Sequence, residues 1–303
     1  MWPLLLFTTV SSIRLAANFD EKAPSQKDLY SSKSAEKFFD PELEDLCKNL
    51  FSREFGYTLV GEEKPISTGA VCREYPYEIS EKCITALKKM FERSPNFVLK
   101  VFSYGSLYFI ELINRKSLRD LVNKNNIVRS FVKKEFDGEA DFYSKVEDLR
   151  QKLHIILKKN EKITGYLLGY SKDNINYYLR RFEVGTFLQK YPLVLFHPLP
   201  GGRYSNSCCV FMNRRLVYVP VKPSSGFASL EAEWQWIKDI EWDIREESKP
   251  IPPYFVFLPF YICRHGGDSE MTRERYKKAS HQIAEVFYNK SFQEAVAEIA
   301  ASS

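Results

Sequence analysis

The residues best equipped for chemistry fall in two glycine-rich stretches. In His197-Pro198-Leu199-Pro200-Gly201-Gly202-Arg203-Tyr204, an imidazole, two glycines and a guanidinium shortly precede the adjacent thiols Cys208 and Cys209. A base beside a thiol is the minimum for nucleophilic catalysis, which also needs the sulfur exposed and its pKa lowered. The same Pro-Gly-Gly string is what a tight loop between two strands requires. The second stretch, Arg264-His265-Gly266-Gly267, follows a run that reads as a strand. There the glycines permit a bend, and Asp268 or Ser269 is placed to cap the helix that follows. His197, Cys208, Cys209, Arg264 and His265 are therefore the candidate catalytic residues, and they imply a hydrolase if the two turns converge in one pocket.

Other chemistries lack their residues. Six cysteines occur without any C-x-x-C spacing, and the four histidines, His154, His197, His265 and His281, lie far apart, so no local zinc site can be written and no metal is expected. Gly165 and Gly169, around Leu167-Leu168, lack the Lys-Ser/Thr of a phosphate loop and the preceding strand of a dinucleotide fingerprint, so no cofactor is expected. Arg264-His265-Gly266 resembles the triplet of the histidine phosphatases, whose histidine accepts a phosphoryl group. That family carries it on the opening strand, whereas fewer than about 40 residues follow it here, short of a domain. Net charge is +5, from 44 basic and 39 acidic residues that interrupt one another, which argues against a nucleic-acid partner. The aromatic and basic run Asn176-Tyr177-Tyr178-Leu179-Arg180-Arg181 could stack bases, but aromatics at helical spacing are more often core residues.

The elements that must position these residues are legible along the chain. At 303 residues, 44% hydrophobic and 15% aromatic, the chain can bury a core without covalent staples. Asp40 before Pro41 starts a helix with Leu43, Leu46, Leu50 and Phe51 on one face. Another runs from Ser80 to Arg93. Phe97–Phe102 and Leu107–Ile113 form a hairpin around Ser103-Tyr104-Gly105-Ser106. Leu118, Leu121, Val122 and Val128 then suggest one helix, and Ser144-Lys145-Val146-Glu147 reads as the capping box of another carrying Leu149, Leu153, Ile156 and Leu157. Ser171–Gln189 is helical. Strands are expected at Leu193–Phe196, Cys208–Met212, Leu216–Val219 and Tyr254–Ile262. Further helices are expected at Ser229–Trp242 with three tryptophans, from Glu270 through Tyr288, and after the Ser291–Glu294 capping box. Strands and helices do not alternate as β-α-β units, so the expectation is an α+β fold, an antiparallel or mixed sheet packed with several helices in one body from 40 to 303.

Ahead of that body, Trp2–Val10 is a short apolar run followed by Ser11, Ser12, Ala16 and Ala17, the outline of a secretory signal without a basic residue in front. Residues 1–17 read either as that signal or as an apolar segment packed on the body, and 18–39 read as a polar linker. No other segment approaches the roughly 20 apolar residues of a membrane span.

Several segments resemble a family of uncharacterised proteins from intracellular bacteria. They are Phe55-Gly56-Tyr57-Thr58-Leu59 followed by Lys64-Pro65, Leu167-Leu168-Gly169-Tyr170 before Asn174, and the Pro-rich strand ending at Phe260 followed by Asp268-Ser269-Glu270 and the helix of Tyr276. Where that family follows its acidic pair directly with Thr, this chain places Met271 before Thr272. The resemblance implies a shared fold and export, and no catalytic residues. The expected function is an exported or envelope-associated, non-catalytic protein with an unidentified protein partner; a hydrolase and a cytoplasmic nucleic-acid binder remain alternatives, and the oligomeric state is open.

Overall fold

The computed structural model describes residues 40–61, 64–72, 79–158, 160–189, 209–212, 215–218, 221–246, 267–288 and 290–302. Asp40 opens helix α1 (Pro41–Phe51) as the sequence indicates, its carboxylate accepting from the amides of Glu42 and Leu43. A short α2 (Glu54–Leu59) follows, then strand β1 (Ile66–Cys72) and α3 (Glu81–Phe91), which Ser80 caps by accepting from the Cys83 amide. The expected hairpin forms as β2 (Phe97–Tyr104) and β3 (Leu107–Asn114), with Tyr104 opposite Leu107. That leaves a two-residue turn, and Gly105 supplies the positive φ (+56°) that such turns demand. β3 is central, flanked by β1 and β2, and all pairing is antiparallel.

The α+β fold thus rests on one antiparallel sheet with a helical layer on each face. One face, carrying Phe97, Leu99, Tyr108, Ile110 and Leu112, packs on α1, α2, α3 and two C-terminal helices, α11 (Gly267–Tyr288) and α12 (Phe292–Ser302). Phe55 lies over Gly69 of β1, where a Cβ would stand 2.8 Å from its ring. Glu44 of α1 ties the two ends of the described chain together, accepting from the amides of Phe292 and Gln293 at 2.9 and 2.8 Å. A carboxylate there also complements the positive end of α12.

The opposite face carries Ile66, Val98 and Ile113 against α4 (Arg115–Lys124), α5 (Asn126–Glu135), α6 (Gly138–Glu147), α7 (Leu153–Ile156), α8 (Glu161–Leu167) and the start of α9 (Lys172–Gln189). Farther along α9, Val184 packs with Val221, Leu230 and Ile237, which brings α10 (Leu230–Glu246) alongside. A separate hairpin joins β4 (Cys209–Met212) to β5 (Arg215–Tyr218).

Three sequence expectations need correction. The single helix through Leu118 and Val128 is two, because Asn125 is extended (φ −101°, ψ 106°) and turns its side chain to cap Ile127 and Val128. Ser144–Glu147 is no capping box: those residues end α6, and Leu149 is left 61% exposed. Gly267, Asp268 and Ser269 lie within α11 rather than ahead of it. The Ser291 capping box, by contrast, is reciprocal, with Ser291 Oγ accepting from Glu294 N and Ser291 N donating to Glu294 Oε2.

Candidate functional site

Strand alternation arranges the α4–α9 face of the sheet in rows. Behind Ile66, Ile113 and Val98 comes the row Thr68, Glu111 and Lys100, then Ala70, Phe109 and Phe102, and finally Leu107 and Tyr104 beside the turn. The second row holds a buried ion pair. Lys100 Nζ donates to Glu111 Oε2 (2.9 Å) and to the carbonyls of Val146 (2.9 Å) and Gln151 (2.7 Å), while Glu111 accepts from the Leu153 amide at 3.0 Å. Both charges are satisfied, which is what makes burying them tolerable. They also clamp the turn between α6 and α7 onto the sheet.

That clamp positions Lys152, the residue between Gln151 and Leu153. Its ammonium stands 5.5 Å from the ring centroids of Phe102, Tyr104 and Phe109, all within cation–π range. Phe102 and Phe109 are cross-strand partners, and Tyr104 meets Phe109 edge-on at 6.3 Å and 69°. No nearby carboxylate of the turn is left for Lys152. The Arg150 guanidinium, with its amide and Gln151, holds Asp148 and keeps that carboxyl well below the usual range. Glu111 is committed to Lys100 and Leu153. Tyr104 is 53% exposed, and Leu149 and Ile155 of the segment that carries Lys152 are exposed as well. The arrangement can bind a cation.

His197, Cys208, Arg264 and His265 lie outside the described residues. Cys209 opens β4 opposite Tyr218, and the strands expected at Leu193–Phe196 and Tyr254–Ile262 also fall outside. Two residues of the aromatic and basic run of α9, Tyr177 and Arg180, are engaged internally. Arg180 grips Glu233 of α10 through Nε (2.8 Å) and Nη2 (2.7 Å), reaches Glu183 (2.8 Å), and donates to the Lys222 carbonyl. Burial works to raise the Glu233 carboxyl, but its bonds from Arg180 and Ser224 outweigh that and hold it down at about 2. Tyr177 donates to the Ile237 carbonyl at 3.0 Å. An arginine so engaged has little left for a phosphate.

Residues from three of the segments singled out in the sequence, around Tyr57, Gly169 and Tyr276, meet in space. Tyr57 packs edge-on against Tyr276 at 5.1 Å, and Tyr276 donates to the Gly169 carbonyl at 3.1 Å. Gly169 itself takes φ +83° at the end of α8. Lys64 is buried close by in sequence with Glu54 as its partner; burial pushes its ammonium down to about 7, and the Glu54 carboxylate acts in the opposite sense. This knot is buried and knits α2, α8 and α11, a structural use of polar groups.

Phe102, Tyr104, Phe109 and Lys152 were absent from the sequence candidates. The alternation Phe102–Tyr104 and the two-residue turn that pairs Phe102 with Phe109 would have placed the rings on one face; nothing local pointed to Lys152. Among the described residues, no group of histidines, cysteines and carboxylates forms a metal site, and no helix is long and apolar enough to cross a membrane. No family model, curated protein or solved structure matches the chain.

Proposed function

We propose that this chain is a non-catalytic binding protein, exported as its N-terminal outline suggests and related to the uncharacterised proteins of intracellular bacteria, that engages a protein partner through the aromatic end of its hairpin. The observation that carries the reading is a cluster of three rings, one of them the exposed Tyr104, around an ammonium with no protein oxygen partner among the described residues, with Leu149 and Ile155 exposed on the segment that carries Lys152. Solvent-facing apolar side chains gathered at one place mark contact surfaces more often than scattered ones do.

The test is site-specific photocrosslinking in cells that make the protein. A photoreactive phenylalanine analogue at Tyr104 should give a discrete adduct with one partner, and the same group at Tyr288, somewhat more exposed on α11, should not. Equal labelling from both positions, or none from Tyr104, overturns the reading. Export is checked on the same material by the mass of the mature N-terminus, with loss through Ser12 or Ala17 expected.

A further inference from the structure

We infer that the partner group taken by this site is a methylated lysine side chain, and that Lys152 is its built-in competitor; the inference rests on the hairpin end being the contact surface. The resident occupant shows what fits. A lysyl nitrogen already lies at one distance, 5.5 Å, from three ring faces, so the cage is formed before any ligand arrives.

Two features separate this cage from a structural cation site. First, an –NH3+ group carries three donors, and among the described residues no protein oxygen takes those of Lys152, which leaves them to solvent. Lys100, one row away, has found three acceptors; Lys152 has neither Glu111 nor Asp148 available, since Lys100, Leu153 and Arg150 hold them. A trimethylammonium has no N–H to satisfy and is less strongly hydrated, so it gains more from the same rings. Aromatic cages select methylated ammonium for this reason. Second, the cage does not depend on Lys152 for its shape. The rings stand on paired strands, and the backbone on either side of Lys152 is pinned by the Gln151 carbonyl and the Leu153 amide. Its four-carbon stem can leave while the turn stays in place.

Competition from a tethered group reduces apparent affinity by the fraction of time the site is free. Removing the Lys152 ammonium must therefore tighten binding, a direction that loss of a merely structural residue does not produce.

The probe is Nα-acetyl-Nε-trimethyllysine methylamide, titrated into the full chain and followed through the ring resonances of Tyr104 and Phe109. The wild-type protein should bind it about fivefold or more tightly than the unmethylated compound, and Lys152→Ala should tighten binding about fivefold. Tyr104→Ala, a change at an exposed position, should abolish binding and leave the fold intact by circular dichroism. Equal binding of both compounds, unchanged or weaker binding by Lys152→Ala, or no binding by either protein overturns the inference. So does binding only to phosphatidylcholine vesicles, which would assign the cage to a lipid headgroup. Crosslinking from Tyr104 in the absence of any ammonium binding removes the ligand class alone; loss of both removes the binding surface too.

Discussion

Lys100 and Lys152 reach the same face of one sheet a row apart and share the Phe102 ring, but their ammonium groups differ in the oxygens around them. Lys100 is fully buried, with a carboxylate and two carbonyls around Nζ and the Phe102 ring at 5.8 Å. Lys152 is half-buried, with three ring faces and, among the described residues, no protein oxygen. The contrast separates a charge used to build the fold from one that is available for exchange. A cation with every donor satisfied fixes a register and a turn; one held only by π faces is held weakly enough to be displaced.

The strongest way to break the comparison is Lys100→Met. It leaves Glu111 buried with only the Leu153 amide, and should cost about 3–5 kcal/mol in denaturant unfolding. Glu111→Leu added to it should return much of that loss, because an apolar pair of similar volume removes the uncompensated charge. If Lys100→Met alone is nearly neutral, the pair does not hold the turn.

A smaller effect is expected where another cation is fully engaged, at Arg180. The folded Glu233 carboxyl sits at about 2, below the roughly 4.3 of an unfolded glutamate, so its contribution is fully present above about pH 4.3 and fades as pH falls towards 2. Arg180→Met should destabilise the protein by about 2 kcal/mol at neutral pH and flatten its loss of stability between those values. An unchanged acid limb would mean Arg180 does not set the Glu233 ionisation.

The smallest stability effects belong to the cage. Lys152→Ala and Tyr104→Ala should each change unfolding free energy by less than about 1 kcal/mol, the scale of exposed cation–π contacts. A loss as large as that for Lys100 would make Lys152 a second structural cation.

What could be read in the sequence follows the reach of each signal. Asp40-Pro41, Ser80 and the Ser291–Glu294 box are local chemistry and appear where expected. So does the hairpin, whose alternation and glycine turn lie within one stretch of chain. β1 was missed because Ile66–Cys72 holds Ser, Thr and Gly and becomes a strand by pairing with the edge of β3. α2 was missed because it is six residues long with Gly56 inside, and it is held by packing on α1 and β1. Asn125 broke a continuous apolar periodicity through a cap that periodicity does not report. The site itself was half visible: its rings come from one hairpin, while Lys152 arrives through the Lys100–Glu111 clamp, about 50 residues away in the chain.

The most direct measurement is competitive labelling of native lysines with a small acylating reagent, read residue by residue by mass spectrometry. Lys152 should react at a rate within about tenfold of the exposed lysines, because leaving the rings opens it to solvent without unfolding. Lys100 should react only as fast as the whole protein unfolds. Equal protection of the two would contradict the account, since Lys152 would then be as much a part of the fold as Lys100.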